Sequence, residues 1–131
     1  MTTEQVEDDD SIDYIWDMIE QGNLEEATTL LDKEQSLLDS SCITGKALTL
    51  EQQAIQADIY MAKIEVLSLS GKPEQVLELC ERVKPLIDND AVQLSDLGLV
   101  YLEYADYQQA ESLINRALIM DENEYGKEHS R

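Results

Sequence analysis

The segment 94–120 constrains the fold of this chain most strongly, because it carries two apolar helical faces separated by a short polar break. The first face follows the spacing i, i+3, i+4 and i+7 of an α-helix and consists of Leu94, Leu97, Gly98 and Tyr101. After the break at 104–106, the second face carries Ala110, Ile114 and Ala117. Helices that meet through Gly and Ala approach closely, so the segment predicts an antiparallel helix pair. Such a pair cannot bury its own apolar faces, which favours a repeat array.

These residues resemble the tetratricopeptide repeat, which has Leu-Gly-x-x-Tyr on its first helix and Ala, an apolar residue and Ala on its second. The following residues, 121–129, form an acidic stretch that includes Gly126 and His129 and is similar to the longer repeats of the kinesin light chain type. That type normally has Pro where this chain has Ser130. The resemblance implies helix hairpins whose first helices line a concave groove for a peptide.

Two weaker copies of this pattern precede the segment. An offset of 34 residues pairs Val76 with Ala110 and Cys80 with Ile114, which indicates a second repeat. A third copy begins at the turn around Gly22, and Thr49 with Gln52 has the spacing of a capping box that opens a long helix.

We therefore predict an all-α fold, a short α-solenoid of about three tetratricopeptide-like helix hairpins. Its six helices are predicted at 11–21, 24–39, 50–70, 73–84, 91–104 and 107–121. The repeat domain covers 10–124, with repeats at about 10–40, 50–90 and 91–124. Residues 1–9 are predicted to be a disordered acidic N-terminus, and 125–131 a C-terminal tail.

The net charge of −20 restricts the partners of the chain. Residues 1–40 alone hold 13 acidic residues and one basic residue, Lys33. Binding to nucleic acid or to an anionic membrane requires clustered Lys and Arg, so neither is expected. The acidic field favours a basic protein or peptide. The alternative, that the acidity serves only solubility, stays open.

The sequence predicts a cytoplasmic protein that is not an enzyme. Its N-terminus lacks the basic and apolar regions of a signal peptide, and no apolar run approaches the length of a membrane span. The single histidine, His129, cannot build a typical zinc site, and no catalytic or phosphate-binding motif is present. The acidic cluster 7–13 lacks the Gly of a calcium-binding loop, so no metal or cofactor is expected. Cys80 lies on an apolar helical face and is interpreted as core.

The candidate site is the groove that the resemblance implies along the first helix of each pair. Its predicted peptide-binding residues are Ile12, Trp16, Ile19, Met61, Glu65, Ser68, Ser95, Leu99 and Leu102. Leu99 and Leu102 give their helix a second apolar side, which either binds a partner or meets another helix of the chain. Trp16 is open to a core or a groove position, and the sequence slightly favours the core. The chaperone-clamp activity of some tetratricopeptide domains is not expected, because these nine positions contain no Lys, Arg or Asn.

The function predicted from these features is a protein-interaction module, or adaptor, that binds a basic or amphipathic segment in the groove. One alternative is a small acidic secretion-type chaperone for an aggregation-prone client. Another is a structural scaffold that forms homo-oligomers through its exposed repeat ends.

Overall fold

A computed structural model describes the backbone of residues 3–129 and the side chains of residues 12–123. Within that range there are six α-helices, one short 3-10 helix and no strand, which confirms the all-α fold class. The α-helices are α1 (Thr3–Glu20), α2 (Leu24–Ser41), α3 (Leu50–Leu69), α4 (Pro73–Val83), α5 (Ala91–Glu103) and α6 (Tyr107–His129). The 3-10 helix, Lys84–Leu86, directly follows α4.

Four helices agree with prediction to within two residues at each end, whereas two are longer at the chain ends. The helix α1 begins at Thr3 and not at residue 11, so residues 3–9 are helical where the sequence predicts disorder. Residues 1–2 lie outside the described part of the chain. Carboxylates near a helix N-terminus interact favourably with the helix dipole, which is a physical reason for the early start. The helix α6 continues to His129, so Gly126 lies inside a helix and not in the predicted tail.

Side-chain caps fix several helix ends as their residue types predict. The backbone N–H of Gln52 donates to Thr49 Oγ1 at 3.1 Å, and the backbone N–H of Thr49 donates to Gln52 Oε1 at 2.9 Å. These two hydrogen bonds confirm the predicted capping box. Asp90 caps α5 by accepting from the Gln93 amide N at 3.0 Å. The short turn between α5 and α6 has Ala105 at φ 63°, in the left-handed region that residues other than glycine rarely adopt.

The chain divides into two compact units between Leu79 and Cys80, inside α4. In the first unit α1, α2 and α3 pack together around one apolar core. Its buried members are Ile15, Met18, Ile19, Ala27, Leu31, Leu38, Ile59, Ala62 and Val66. In the second unit α5 packs against α6, with Leu94, Leu97 and Tyr101 buried on α5. The predicted α5–α6 helix pair is therefore present.

Candidate interaction surfaces

The helix α5 has two apolar sides, and only one of them is buried. Its core side contains Leu94 and Leu97, which are fully buried. Its other side contains Val92, Leu99 and Leu102, whose exposed fractions are 72%, 56% and 45%. These three residues follow a spacing of i, i+7 and i+10 and so share one face, which we call the α5 stripe. Among the described residues, the side chains of the stripe are far more exposed than those of the core.

Acidic residues flank the α5 stripe. Asp96 and Glu103 are exposed and lie within one turn of Leu99 along the helix. Partial burial, and secondarily the nearby Asp90, raise the pKa of the Asp96 carboxyl above its usual range. Both causes disfavour an additional negative charge beside the stripe. A cation placed there would be attracted to these carboxylates.

The helix α5 is in close contact with α6 at Gly98. A Cβ atom added at Gly98 would lie 2.7 Å from Ile114 Cγ1 and 3.3 Å from the Ala110 carbonyl oxygen. The two helices therefore touch through a residue without a side chain, as the small residues of the sequence predict. This packing holds α5, the helix that carries the α5 stripe, against α6.

A hydrogen-bonded cluster also anchors α5. Tyr101 donates its hydroxyl hydrogen to Glu81 Oε2 at 2.5 Å, and Lys84 Nζ donates to the same oxygen at 2.8 Å. Lys84 also donates to Gln109 Oε1 at 2.8 Å and lies 5.1 Å from the centre of the Tyr101 ring. The hydrogen bond from Lys84, and then that from Tyr101, lower the pKa of the Glu81 carboxyl. Burial, and then the bond to Glu81, raise the pKa of the Tyr101 hydroxyl.

The nine predicted groove residues are divided between the two units. Ile19 belongs to the core of the first unit with 4% exposure, so the prediction that it lines an open groove is corrected. Its burial follows from the packing of α1 on both α2 and α3. Ile12 and Trp16 are half-buried against the same core, which favours the core interpretation of Trp16. Met61, Glu65 and Ser68 of α3 are half-buried.

The other three predicted residues lie on α5 in the second unit. Ser95 is half-buried and shares the face of the stripe, while Leu99 and Leu102 are its exposed apolar members. Sequence reasoning missed Val92, the most exposed member. Its spacing of seven residues from Leu99 was the signal that could have identified it.

The first unit contains a cavity that the sequence did not indicate. Its volume is about 280 Å³, and α2, α3 and α4 contribute the apolar lining residues Leu31, Val66, Leu67 and Leu79. Asp32, Lys63 and Glu78 are charged lining residues. Finding this cavity requires the relative placement of three helices, which periodicity within one helix does not provide.

The described side chains contain no group of three or more His, Cys, Asp or Glu residues placed to hold a metal ion. Cys80 is fully buried, as its position on an apolar face predicts. Burial raises the pKa of the Cys80 thiol to about 12, so the reactive thiolate is disfavoured at neutral pH. His129 lies beyond the described side chains.

Across the searched part of the chain, every helix is too short or too polar to cross a bilayer.

Comparison of the chain with protein-family models, curated proteins and solved structures gave no match.

Proposed function

We propose that this chain is a tetratricopeptide-like, non-enzymatic interaction module whose α5 stripe binds a basic, amphipathic protein segment. The observation that carries the proposal is the exposed apolar side of α5, formed by Val92, Leu99 and Leu102. A helix needs one apolar side to pack into the core of its own unit, so a second, exposed apolar side is typical of a helix that binds a partner. We further propose that the module acts in the cytoplasm as an adaptor, consistent with Cys42 and Cys80 being free thiols.

The free energy of binding comes from burying a few apolar side chains, and the attraction between opposite charges adds to it. Complete burial of one Leu or Val side chain contributes roughly 1.5–3 kcal/mol, and the stripe residues are about half exposed. Covering all three therefore contributes on the order of a few kcal/mol, which must also offset the loss of freedom on association. Attraction to Asp96 and Glu103 adds to affinity and accelerates encounter. A ligand with one apolar face and Lys or Arg beside it meets both requirements.

The proposal is tested with synthetic helical peptides made only of Leu and Lys. In one peptide Leu follows i, i+3, i+4 and i+7, and in a second the same composition is scrambled. Titration followed by amide NMR shifts should show tighter binding of the patterned peptide, with changes concentrated at the α5 stripe. Equal affinity for both peptides would show that only net charge is recognised and would contradict the proposal.

A matched pair of variants locates the site. Leu99→Asp and Leu118→Asp each place one carboxylate at an exposed apolar position, since the two leucines are 56% and 53% exposed. The first should weaken binding of the patterned peptide more than about tenfold, and the second should change it little. Similar losses in both variants would exclude the α5 stripe as the binding site. Circular dichroism checks that both variants keep their helices.

A further inference from the structure

The cavity of the first unit has the dimensions of a site for one side chain. An apolar cavity of about 150 Å³ already holds benzene, whereas pockets for drug-sized ligands start at roughly 300 Å³. At about 280 Å³, this cavity can take a single large apolar group, up to the size of an indole ring. This volume lies at the lower limit of ligand pockets, so it suits one protruding group better than a nucleotide or a folded peptide segment.

The lining combines apolar and charged residues. Leu31 and Val66 are buried and Leu67 and Leu79 are half-buried, so these four residues offer an apolar surface. A group inserted among them would exchange water for hydrocarbon contacts, which is favourable in proportion to the apolar area covered.

The charges of the lining favour a cation beside that apolar group. Two acidic residues, Asp32 and Glu78, accompany one basic residue, Lys63, so the lining has one excess negative charge. Lys63 Nζ lies 3.7 Å from Asp32 Oδ1, and the side chains of Lys63 and Asp32 are 29% and 67% exposed. The ammonium group thus already has an anionic neighbour, while the carboxylate of Asp32 faces mostly solvent. An additional cation gains from this arrangement and an anion does not.

We propose that this cavity binds one bulky apolar side chain of a protein partner, such as Trp, Phe or Leu, that is next to a Lys or Arg in the partner sequence. The apolar group occupies the space among the leucines, and the adjacent cation lies near Asp32. This site is formed entirely by the first unit. The α5 stripe contributes no residue to it.

Four small probes separate the apolar and the charge contributions: tryptamine, neutral indole, indole-3-propionate and ethylamine. Each is titrated at low salt while the methyl NMR signals of Leu31, Val66, Leu67 and Leu79 are followed. Tryptamine should bind most tightly, at least about threefold more tightly than indole-3-propionate. Ethylamine should not move these methyl signals. Equal binding of the cationic and anionic indoles, or the same shifts with ethylamine, would overturn the proposal.

Variants then establish where the probe binds. Leu67→Trp should fill the cavity and weaken tryptamine binding at least about tenfold. Leu69→Trp is its control, because Leu69 lies on the same helix, is 55% exposed and does not line the cavity. Thr28→Leu enlarges an exposed lining residue and supplies an independent test should Leu67→Trp fail to fold. Unchanged tryptamine binding in a folded cavity variant would exclude this cavity.

Two further variants connect the site to its chemistry and separate it from the α5 stripe. Asp32→Asn should weaken tryptamine more than indole, since only the former carries a positive charge. Leu99→Asp should leave tryptamine binding at the cavity methyl groups unchanged. Loss of those shifts in Leu99→Asp would contradict a binding site that the first unit forms alone.

Discussion

Gly98 is a residue of α5 that lies in close contact with α6. It is buried in the middle of a helix, where glycine is roughly 1 kcal/mol less favourable than alanine. A Cβ atom at this position would come within 2.7 Å of Ile114 Cγ1, closer than packed carbon atoms tolerate. Close packing therefore opposes helix propensity at this residue, and the balance between them can be measured.

We expect Gly98→Ala to lower the free energy of unfolding by about 1 kcal/mol, because overpacking of about 1–3 kcal/mol exceeds the gain in helix propensity. Combining it with Ile114→Ala should be less damaging than the sum of the single changes, since the shortened side chain no longer clashes. Urea unfolding of the two single variants and the double variant measures the coupling. Strict additivity would show that the two residues do not compete for space.

The hydrogen bonds that Glu81 accepts from Lys84 and Tyr101 make the stability of the chain depend on pH. A pKa that is lowered on folding contributes stability above the ordinary glutamate range, and this contribution is lost as pH falls through the folded-state pKa. Glu81→Gln should therefore cost less than about 1 kcal/mol at pH 7, because the side chain is 60% exposed. The difference from the parent chain should shrink between about pH 5 and pH 3, as measured by urea unfolding. A difference that grows on acidification would contradict this assignment.

At the scale of elements, a pair of glutamines sets the register of α2 against α3. Gln35 Nε2 donates to Gln56 Oε1 at 2.9 Å, and Gln56 Nε2 donates to Gln35 Oε1 at 2.8 Å. Gln56 is a polar residue that is buried, with 8% exposure. Two amides that satisfy each other resist a helical shift, because any other register leaves a polar group without its partner.

Gln56→Leu should therefore destabilise the chain by about 1–3 kcal/mol, since it leaves the Gln35 amide partly buried with one partner lost. Adding Gln35→Leu should restore much of that loss by converting a polar pair into an apolar contact. Thermal unfolding of the single and double variants gives the comparison. A double variant that is as unstable as the sum of both single variants would show that the amide pair does not act as a unit.

The local elements of this fold were predictable because their signals are short-range. A capping box spans four residues, from Thr49 to Gln52, and the buried face of α5 repeats every three or four residues. The small residues Gly98 and Ala110 correctly predicted where two helices touch. The first two signals depend on neighbours within one helix or one turn, and the third joins two helices that one short turn connects.

The remaining features depend on how separate helices meet. Ile19 was predicted to line a groove, but packing of α1 against two helices buries it. The cavity beside Leu67 is lined by three consecutive helices and the Gln35–Gln56 pair joins two of them, and the periodicity within one helix does not report contacts between helices. The early start of α1 was missed because residues 1–9 are charged and lack an apolar stripe, a pattern that is typical of disorder, whereas acidic residues in a first turn also favour a helix.

For the molecule as a whole, the dominant physical property is its charge of −20. Like charges held together in a folded chain repel one another, and unfolding separates them. The same field attracts a cationic partner from a distance. Salt screens both effects, because the distance over which charges act falls from about 30 Å at 0.01 M to about 8 Å at 0.15 M. Stability and partner binding should therefore respond to salt in opposite directions.

Raising NaCl from 0.01 M to 0.15 M should increase the melting temperature by a few degrees, which corresponds to about 1 kcal/mol for a chain of this size. The same change should weaken binding of the patterned Leu/Lys peptide, while tight apolar contacts at the α5 stripe keep part of the affinity. Circular dichroism melts and calorimetric titrations at matched salt concentrations measure the two responses, and KCl should reproduce NaCl because screening depends on ionic strength. A melting temperature that falls with salt would mean that attractive ion pairs, such as Arg116 with Asp88 at 2.6 Å, outweigh the net repulsion. If salt leaves the affinity for the peptide unchanged, charge attraction does not contribute to its recognition.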